Sequence, residues 1–258
     1  EPFSGVSVDM MVAALLDLGF DFEELKARLS LLPLDGYRLS SARCSRSGIQ
    51  AVKFDVETGH EHAHRTFADI RAMIAESGLS PWVRAKSIEA FRRLAEAEGK
   101  IHGHPPEKVH FHEVGAVDSI VDIVGTMIAV ESFLPARILA APVNVGRGTL
   151  ECQHGTYPVP GPATQDLLRG VPTFSNAVDV ELTTPTGATL LATLVEEFGS
   201  QPAMKVRASG YGAGTRQTPG NANVLRVSLG EEIAAAAAPP AEQVAVIEAT
   251  IDDMSPQV

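Results

Sequence analysis

Hydrophobic residues recur along the chain with two different spacings, and each spacing predicts one kind of element. In several stretches they return every three or four positions, which is typical of amphipathic helices. In residues 49–57, Val52, Phe54 and Val56 would face a core while the side chains between them face water. Strands and helices alternate along much of the chain, which predicts an α/β (or α+β) fold with a mixed sheet flanked by helices.

Capping residues place the ends of these elements. Capping boxes beginning at Asp21 and Thr66, and the pair Ser80-Pro81, each predict the start of a helix. The predicted helices cover residues 8–18, 22–32, 67–77, 81 onward, 120–133 and 188–198. The predicted strands cover residues 37–44, 49–57, 109–114, 138–145, 223–229 and 243–251.

Composition divides the chain near residue 230. The stretch 231–241 is rich in alanine and proline and has the composition of a linker. We expect residues 1–230 to form an N-terminal α/β domain. Residues 242–258 are then expected to begin a second, C-terminal domain that is truncated in this chain.

The densest group of chemically active side chains lies between residues 109 and 122. In a strand over 109–114, His110 and His112 point to one face, with Glu113 beside them. In the following helix, Asp118 and Asp122 lie one turn apart, and two carboxylates at that spacing repel unless a cation lies between them. This stretch is therefore a candidate metal site.

A structural interpretation of the two aspartates stays open. Ser119 fits the N-cap of a capping box in which Asp122 bonds back to the backbone. Asp118 would then stabilise the positive end of the helix dipole.

Three histidines at alternate positions, His60, His62 and His64, would project from one side of an extended segment. Neutral imidazole is a good ligand for nickel, zinc and copper. A solvated polar loop or the remains of a purification tag would show the same pattern, but the position between a strand and a capped helix argues against a tag. We predict that this segment contacts a metal.

Two glycine-containing segments have features of an anion site. Thr186 and Gly187 precede a helix whose free N–H groups suit an anion, although ordinary N-capping explains them equally well. Farther on, Gly212 and Gly214 would let the backbone approach a ligand, and Arg216 can hold a phosphate or carboxylate with two hydrogen bonds.

Net charge and cysteine content limit which binding partners and which cellular location we expect. The formal net charge of -11 over 258 residues argues against nucleic acid and anionic membranes as partners. Two cysteines do not make a disulfide framework, so a cytoplasmic location is predicted. No apolar run is long enough to span a membrane, and no signal peptide is visible.

In their order along the chain, these segments resemble the nickel-inserting LarC family, which completes the nickel-pincer nucleotide cofactor of lactate racemase. The resemblance covers nearly the whole chain, and HFHEVGAVDSIVDI is highly specific. The other matching segments are FSGVSVDMMVAALLDLG, HEHAHRTFADI, RLAEAEGKIHG, HGTYPVPGPAT, ELTTPTGATLLA, GYGAGTR and IDDMSP.

The resemblance implies a cyclometallation. A pyridinium mononucleotide with two thiocarboxylates receives nickel, which forms metal–sulfur bonds and one metal–carbon bond, while CTP is consumed with the help of magnesium or manganese. CTP binding is associated with the family's C-terminal region, which we expect this chain to lack. The expected partners are the nucleotide, other copies of the chain in a homo-oligomer, and a lactate racemase-type apoenzyme that would receive the cofactor.

Candidate residues follow from this implied chemistry. Forming a metal–carbon bond requires the loss of a ring proton, so we expect a base among the catalytic candidates His112, Glu113 and Asp118. The expected metal ligands are His60, His62, His64, His110, His112, Asp118 and Asp122. The expected nucleotide contacts are Thr186, Gly187, Gly212, Gly214 and Arg216.

Two other classes of function would use similar residues. One is a nickel-binding chaperone or storage protein with no chemistry of its own. The other is a metal-dependent hydrolase, for which a His-x-His-Glu sequence with nearby aspartates would also serve.

Overall fold

A computed structural model of the chain describes residues 1–59, 65–109, 111, 117–152, 155–176, 178–217 and 221–233. The helices in these ranges are α1 (Val8–Asp17), α2 (Phe22–Leu29), α3 (Phe67–Glu76), α4 (Pro81–His102), α5 (Val117–Phe133), α6 (Pro162–Leu167) and α7 (Pro185–Leu194), with a 3-10 turn at Pro106–Lys108. The strands are β1 (Tyr37–Arg46), β2 (Ile49–Thr58), β3 (Leu139–Ala140), β4 (Val143–Asn144), β5 (Thr149–Cys152), β6 (Gly155–Pro158), β7 (Thr173–Phe174), β8 (Glu197–Phe198), β9 (Met204–Ala213) and β10 (Val224–Glu232).

The main sheet joins two antiparallel hairpins that are far apart in sequence. Its strand order is β1-β2-β9-β10. Strands β1 and β2 pair antiparallel, as do β9 and β10, whereas β2 and β9 run parallel with Val52 opposite Gly212. The predicted α/β fold with a mixed sheet and flanking helices is confirmed.

Helix α5 lies at the centre of the core. Every residue from Ser119 to Val130 is buried, so this helix has no polar face. Buried side chains of α1, α2, α3 and α4 and of strand β2 belong to the same hydrophobic cluster. Helix α2 packs closely on α5 at Gly125, since a Cβ there would lie 3.5 Å from Cδ1 of Leu25.

Helix α1 packs unusually close to strand β9. A Cβ at Gly210 would lie 2.2 Å from the main-chain oxygen of Ala14, and one at Gly212 would lie 1.9 Å from that of Met10. No carbon atom can occupy either position without backbone movement. The segment predicted as a glycine-rich ligand loop is therefore, through residue 213, a sheet strand that contacts a helix.

Element boundaries agree with the pattern where a cap marks them. Asp21 accepts a hydrogen bond from the Glu24 N–H at 2.7 Å, and Thr66 forms the predicted capping box with Asp69. Helix α5 begins at Val117 and helix α7 at Pro185, each three residues before the predicted start. The single strand predicted over 138–145 is divided into β3 and β4.

Two predicted regions lie mostly outside the described residues. Of the strand predicted over 109–114, only Val109 and Phe111 are described, and both are buried core residues that belong to no strand. Strand β10 continues to Glu232, past the predicted domain boundary at 230. The linker from 234 onward and the second domain stay predictions.

None of the described helices is both long and apolar enough to cross a membrane.

We expect Gly212→Ala to lower the free energy of unfolding by about 1–3 kcal/mol or more, because the added methyl group overlaps the Met10 carbonyl. Gly199→Ala is the control, since a Cβ there would have no neighbour within 4 Å. Urea unfolding of both variants measures the difference. Equal midpoints would contradict the close packing of α1 on β9.

Candidate functional site

A polar cavity of about 310 Å³ lies where three helices begin beside strand β2. Its volume is near the lower end of the range of small-molecule pockets. Charged and hydroxyl side chains make up most of its wall, which includes the following residues: Ser7, Val8, Asp9, Lys53, Phe54, Asp55, Val56, Asp118, Ser119, Asp122, Thr184, Thr186 and Thr215.

The helices α1, α5 and α7 bring their N-terminal turns to this cavity. Ser7 is the N-cap of α1, and its hydroxyl donates to the carboxylate of Asp9 instead of capping the helix. Thr184 is the N-cap of α7 and accepts a hydrogen bond from the Gly187 N–H at 3.2 Å. Helix N-termini carry partial positive charge, so they stabilise the ionised acids that face the cavity.

A lysine joins two of these acids. Nζ of Lys53 donates to Oδ2 of Asp9 at 3.0 Å, to Oδ1 of Asp55 at 2.7 Å and to the Phe54 carbonyl at 2.6 Å. Burial lowers the pKa of Lys53, but the two carboxylates outweigh burial and leave that pKa above its ordinary value. Lys53 is therefore a fixed cation in the cavity and not a base.

Asp122 is the most unusual group in the cavity. The residue is only 7% exposed, and its Oδ1 has no hydrogen-bond partner among the described residues. Burial raises the pKa of Asp122 well above its ordinary value, and the negative charges of Asp9 and Asp118 raise it further. The buried hydroxyl of Thr126, one turn later in α5, also has no hydrogen-bond partner among the described residues. A bound cation would provide the interaction that Oδ1 of Asp122 lacks.

The capping alternative for this segment is wrong. Ser119 lies inside helix α5, which begins two residues earlier, so it is not the N-cap. Asp118 lies in the first turn and accepts a hydrogen bond from the Ser119 N–H at 2.7 Å, which fits an acid at the positive end of the helix. Within the part of the chain that the structure describes, Asp122 makes no capping hydrogen bond, and its Oδ1 has no partner.

The other predicted metal and catalytic residues lie outside the described residues: His60, His62, His64, His110, His112 and Glu113. Their neighbours in sequence do reach the cavity. Strand β2, which lines it, precedes the 60–64 segment, and helix α5, which also lines it, follows the 110–116 segment. Convergence of the two histidine segments on this cavity stays a prediction.

Of the predicted nucleotide contacts, only Thr186 lines the cavity. Gly187 packs against the segment before α1, because a Cβ there would lie 2.1 Å from the Val6 carbonyl oxygen. Gly212 contacts α1, and Gly214 contacts the Asn223 side chain. Arg216 is exposed and does not line the cavity, and its carbonyl accepts a hydrogen bond from Asn223 at 3.0 Å.

Sequence reasoning gave no role to Ser7, Asp9, Lys53, Asp55 or Thr215, which all line the cavity. A usable signal was present, since Asp9 is an acid in the first turn of an otherwise apolar helix. Within the described residues, no group of three His, Cys, Asp or Glu side chains is spaced to hold a metal ion. A metal bound at Asp118 and Asp122 would therefore need further ligands from elsewhere in the chain or from a substrate.

We expect Asp122→Asn to gain stability relative to the unaltered chain as pH rises. Above the pKa of an ordinary carboxyl group, the unfolded chain releases a proton that folded Asp122 retains, so the free energy of unfolding falls until the raised pKa is passed. The asparagine variant lacks this loss and should be more stable by about 1 kcal/mol or more at neutral pH.

Urea unfolding in metal-free buffer from about pH 4 to about pH 8 measures this difference. Asp35→Asn, which changes an exposed acid outside the cavity, gives the background effect of removing one charge. A difference between Asp122→Asn and the unaltered chain that stays constant with pH would contradict a raised pKa at Asp122.

Comparison with known proteins identifies the family of this chain. A family model described as nickel insertion protein matches residues 1–258. The nickel insertion protein of Geobacillus kaustophilus that is named for pyridinium-3,5-bisthiocarboxylic acid mononucleotide is 48% identical over 268 residues, covering 98% of this chain and 65% of that protein. A protein of the same name from Desulfitobacterium hafniense is 43% identical, covering 99% of this chain and 64% of that protein.

A putative nickel insertion protein of Geobacter metallireducens is 48% identical over 258 residues and covers 99% of this chain and 65% of that protein. The chain thus spans a little less than two thirds of the length of these relatives. No solved structure matches it. The match over all 258 residues shows that the chain belongs to the nickel insertion protein family.

Proposed function

We propose that this chain inserts nickel into pyridinium-3,5-bisthiocarboxylic acid mononucleotide, and that the polar cavity is where nickel and nucleotide meet. The names of the two relatives from Geobacillus kaustophilus and Desulfitobacterium hafniense supply the substrate. In this proposal nickel is a substrate that enters and leaves, and not a resident cofactor. The proposed product is the nickel-pincer cofactor of lactate racemase.

The observation that carries this proposal is Oδ1 of Asp122, which has no hydrogen-bond partner among the described residues. A buried acid without a hydrogen-bond partner is costly to ionise, and a bound divalent cation would offset that cost. Asp118, one turn earlier, lines the same cavity and would be a second oxygen ligand. The remaining ligands would come from the histidines at 60, 62, 64, 110 and 112, because imidazole suits nickel.

The proposed reaction removes one proton from the nucleotide. Nickel(II) binds the two thiocarboxylate sulfurs and replaces the ring hydrogen between them, so the C–H electron pair becomes the carbon–nickel bond and a base takes the proton. Asp118 is the described candidate for that base, beside His112 and Glu113. Its place in the cavity supports the assignment.

Two further parts of the proposal rest on the family resemblance. CTP, with magnesium or manganese, would drive the reaction through a C-terminal region that the longer relatives have room for. The completed cofactor would pass to a lactate racemase-type apoenzyme, and the protein would act as a homo-oligomer. As a nickel chelatase it would belong to the lyases.

We expect Asp122→Asn to reduce nickel insertion at least tenfold, because the amide is a weak, neutral ligand in place of a carboxylate. The full-length protein, with its C-terminal region, is incubated with nickel(II) and the dithiolated mononucleotide, with and without magnesium–CTP, and the nickel-bearing product is measured by mass spectrometry. Asp35→Asn should retain full activity.

Failure of the unaltered full-length protein to form the product under either condition, while it still binds nickel, would favour a chaperone or storage protein. Hydrolysis of simple esters without CTP would favour a hydrolase.

We expect the triple variant His60→Ala/His62→Ala/His64→Ala to bind nickel more weakly, since up to three imidazole ligands are lost. The matched control is His102→Ala/His104→Ala, a second alternate pair that does not line the cavity. Nickel titration by calorimetry compares the two. Unchanged stoichiometry and affinity in the triple variant would remove this segment from the mechanism.

A further inference from the structure

Lys53 is placed in the cavity in a way that the proposed reaction does not explain. Its side chain is only 12% exposed, and its three ammonium hydrogens are directed to Asp9, Asp55 and a main-chain carbonyl. The same cavity contains Asp118 and Asp122, which are the proposed nickel ligands. A fixed positive charge therefore lies in the space where a divalent cation would bind.

We infer that Lys53 weakens nickel binding in this cavity and thereby keeps the metal transferable to the nucleotide. This inference rests on the proposed function, and Lys53 is a positioning residue that acts through the carboxylates around it. It touches neither the reacting carbon nor, in this assignment, the nickel ion.

Lys53 opposes nickel in two ways. Its ammonium group lines the same cavity as the proposed nickel ligands and repels a divalent cation bound there. It also engages Asp9 and Asp55, so these carboxylates are not free to become ligands. With Lys53 paired to them, four acids present far less negative charge to a metal than four acids alone would.

Weak binding suits a metal that must leave. Carboxylate and imidazole ligands give nickel up to sulfur only if the protein site does not hold it too tightly, because affinity gained in the protein complex is lost as driving force for transfer. The lysine therefore favours transfer at the expense of capture.

The direction in which nickel affinity changes when Lys53 is neutralised separates this role from a structural one. If Lys53 only held the cavity together, neutralising it would disorder the acids and weaken nickel binding. The inference predicts tighter binding, on the order of tenfold or more, in Lys53→Gln and Lys53→Met, since both remove the charge and release Asp9 and Asp55. Lys53→Arg keeps the charge and should bind nickel like the unaltered chain.

The test is titration of the full chain with nickel(II) alone, against a competing chelator, without nucleotide. A second measurement follows the rate at which loaded nickel passes to the dithiolated nucleotide, which should fall in Lys53→Gln and be restored in Lys53→Arg. Unchanged or weaker nickel binding in both neutral variants would overturn the inference. So would an increase in the number of bound ions with no change in affinity for the first.

A fallback variant keeps the test decisive if both neutral variants fail to fold. Asp55→Asn leaves Lys53 paired only with Asp9, so the lysine should repel nickel more strongly and affinity should fall relative to Asp35→Asn. Equal nickel affinity of Asp55→Asn and Asp35→Asn would overturn the inference. If the unaltered chain binds nickel but never transfers it, the proposed function fails, whereas the effect of Lys53 on affinity is still measured.

Discussion

The close contact between helix α1 and strand β9 is the constraint on which the rest of the structure depends. Because Gly210 and Gly212 have no side chains, the helix backbone lies directly against the strand, and its first turn lies beside the neighbouring strand β2. That placement puts Asp9 within hydrogen-bond distance of Lys53. The glycines thus support the cavity from a distance, through packing, and their backbone contact is with protein instead of a ligand.

The electrostatic character of the cavity follows from its mixture of groups. Three helix N-termini and one lysine provide positive charge, and four aspartates provide more negative charge than these can balance. Burial and the charges of the neighbouring acids raise the pKa of Asp122 well above its ordinary value. A cavity of this kind accepts a cation more readily than a phosphate, and Arg216, the cation predicted to hold a phosphate, lies outside it.

Much of the fold could be predicted because local patterns determine it. Alternation in β2 and the capping box at Thr66 gave the correct element and its limits. The role of Gly212 could not be predicted, since a glycine that approaches a ligand and one that approaches a helix look alike in sequence. Asp118 and Asp122 were recognised by their spacing, but Lys53 was assigned to a solvent-facing side because its partner Asp9 is 44 residues away. The roles of these residues depend on contacts between segments that are distant in sequence.

The parallel pairing of β2 with β9 has a consequence for when the site can exist. Val52 and Gly212 are opposite each other, although about 160 residues of chain separate them. Ribosomes add about 5–20 residues per second, so the strand that carries Lys53 waits on the order of ten seconds for its neighbour to emerge. Until then the cavity has neither its α7 wall nor Thr215, and a metal ion arriving early would meet separate acids and histidines instead of a formed site. Under the proposed function, nickel would therefore load only after this part of the chain has been synthesised.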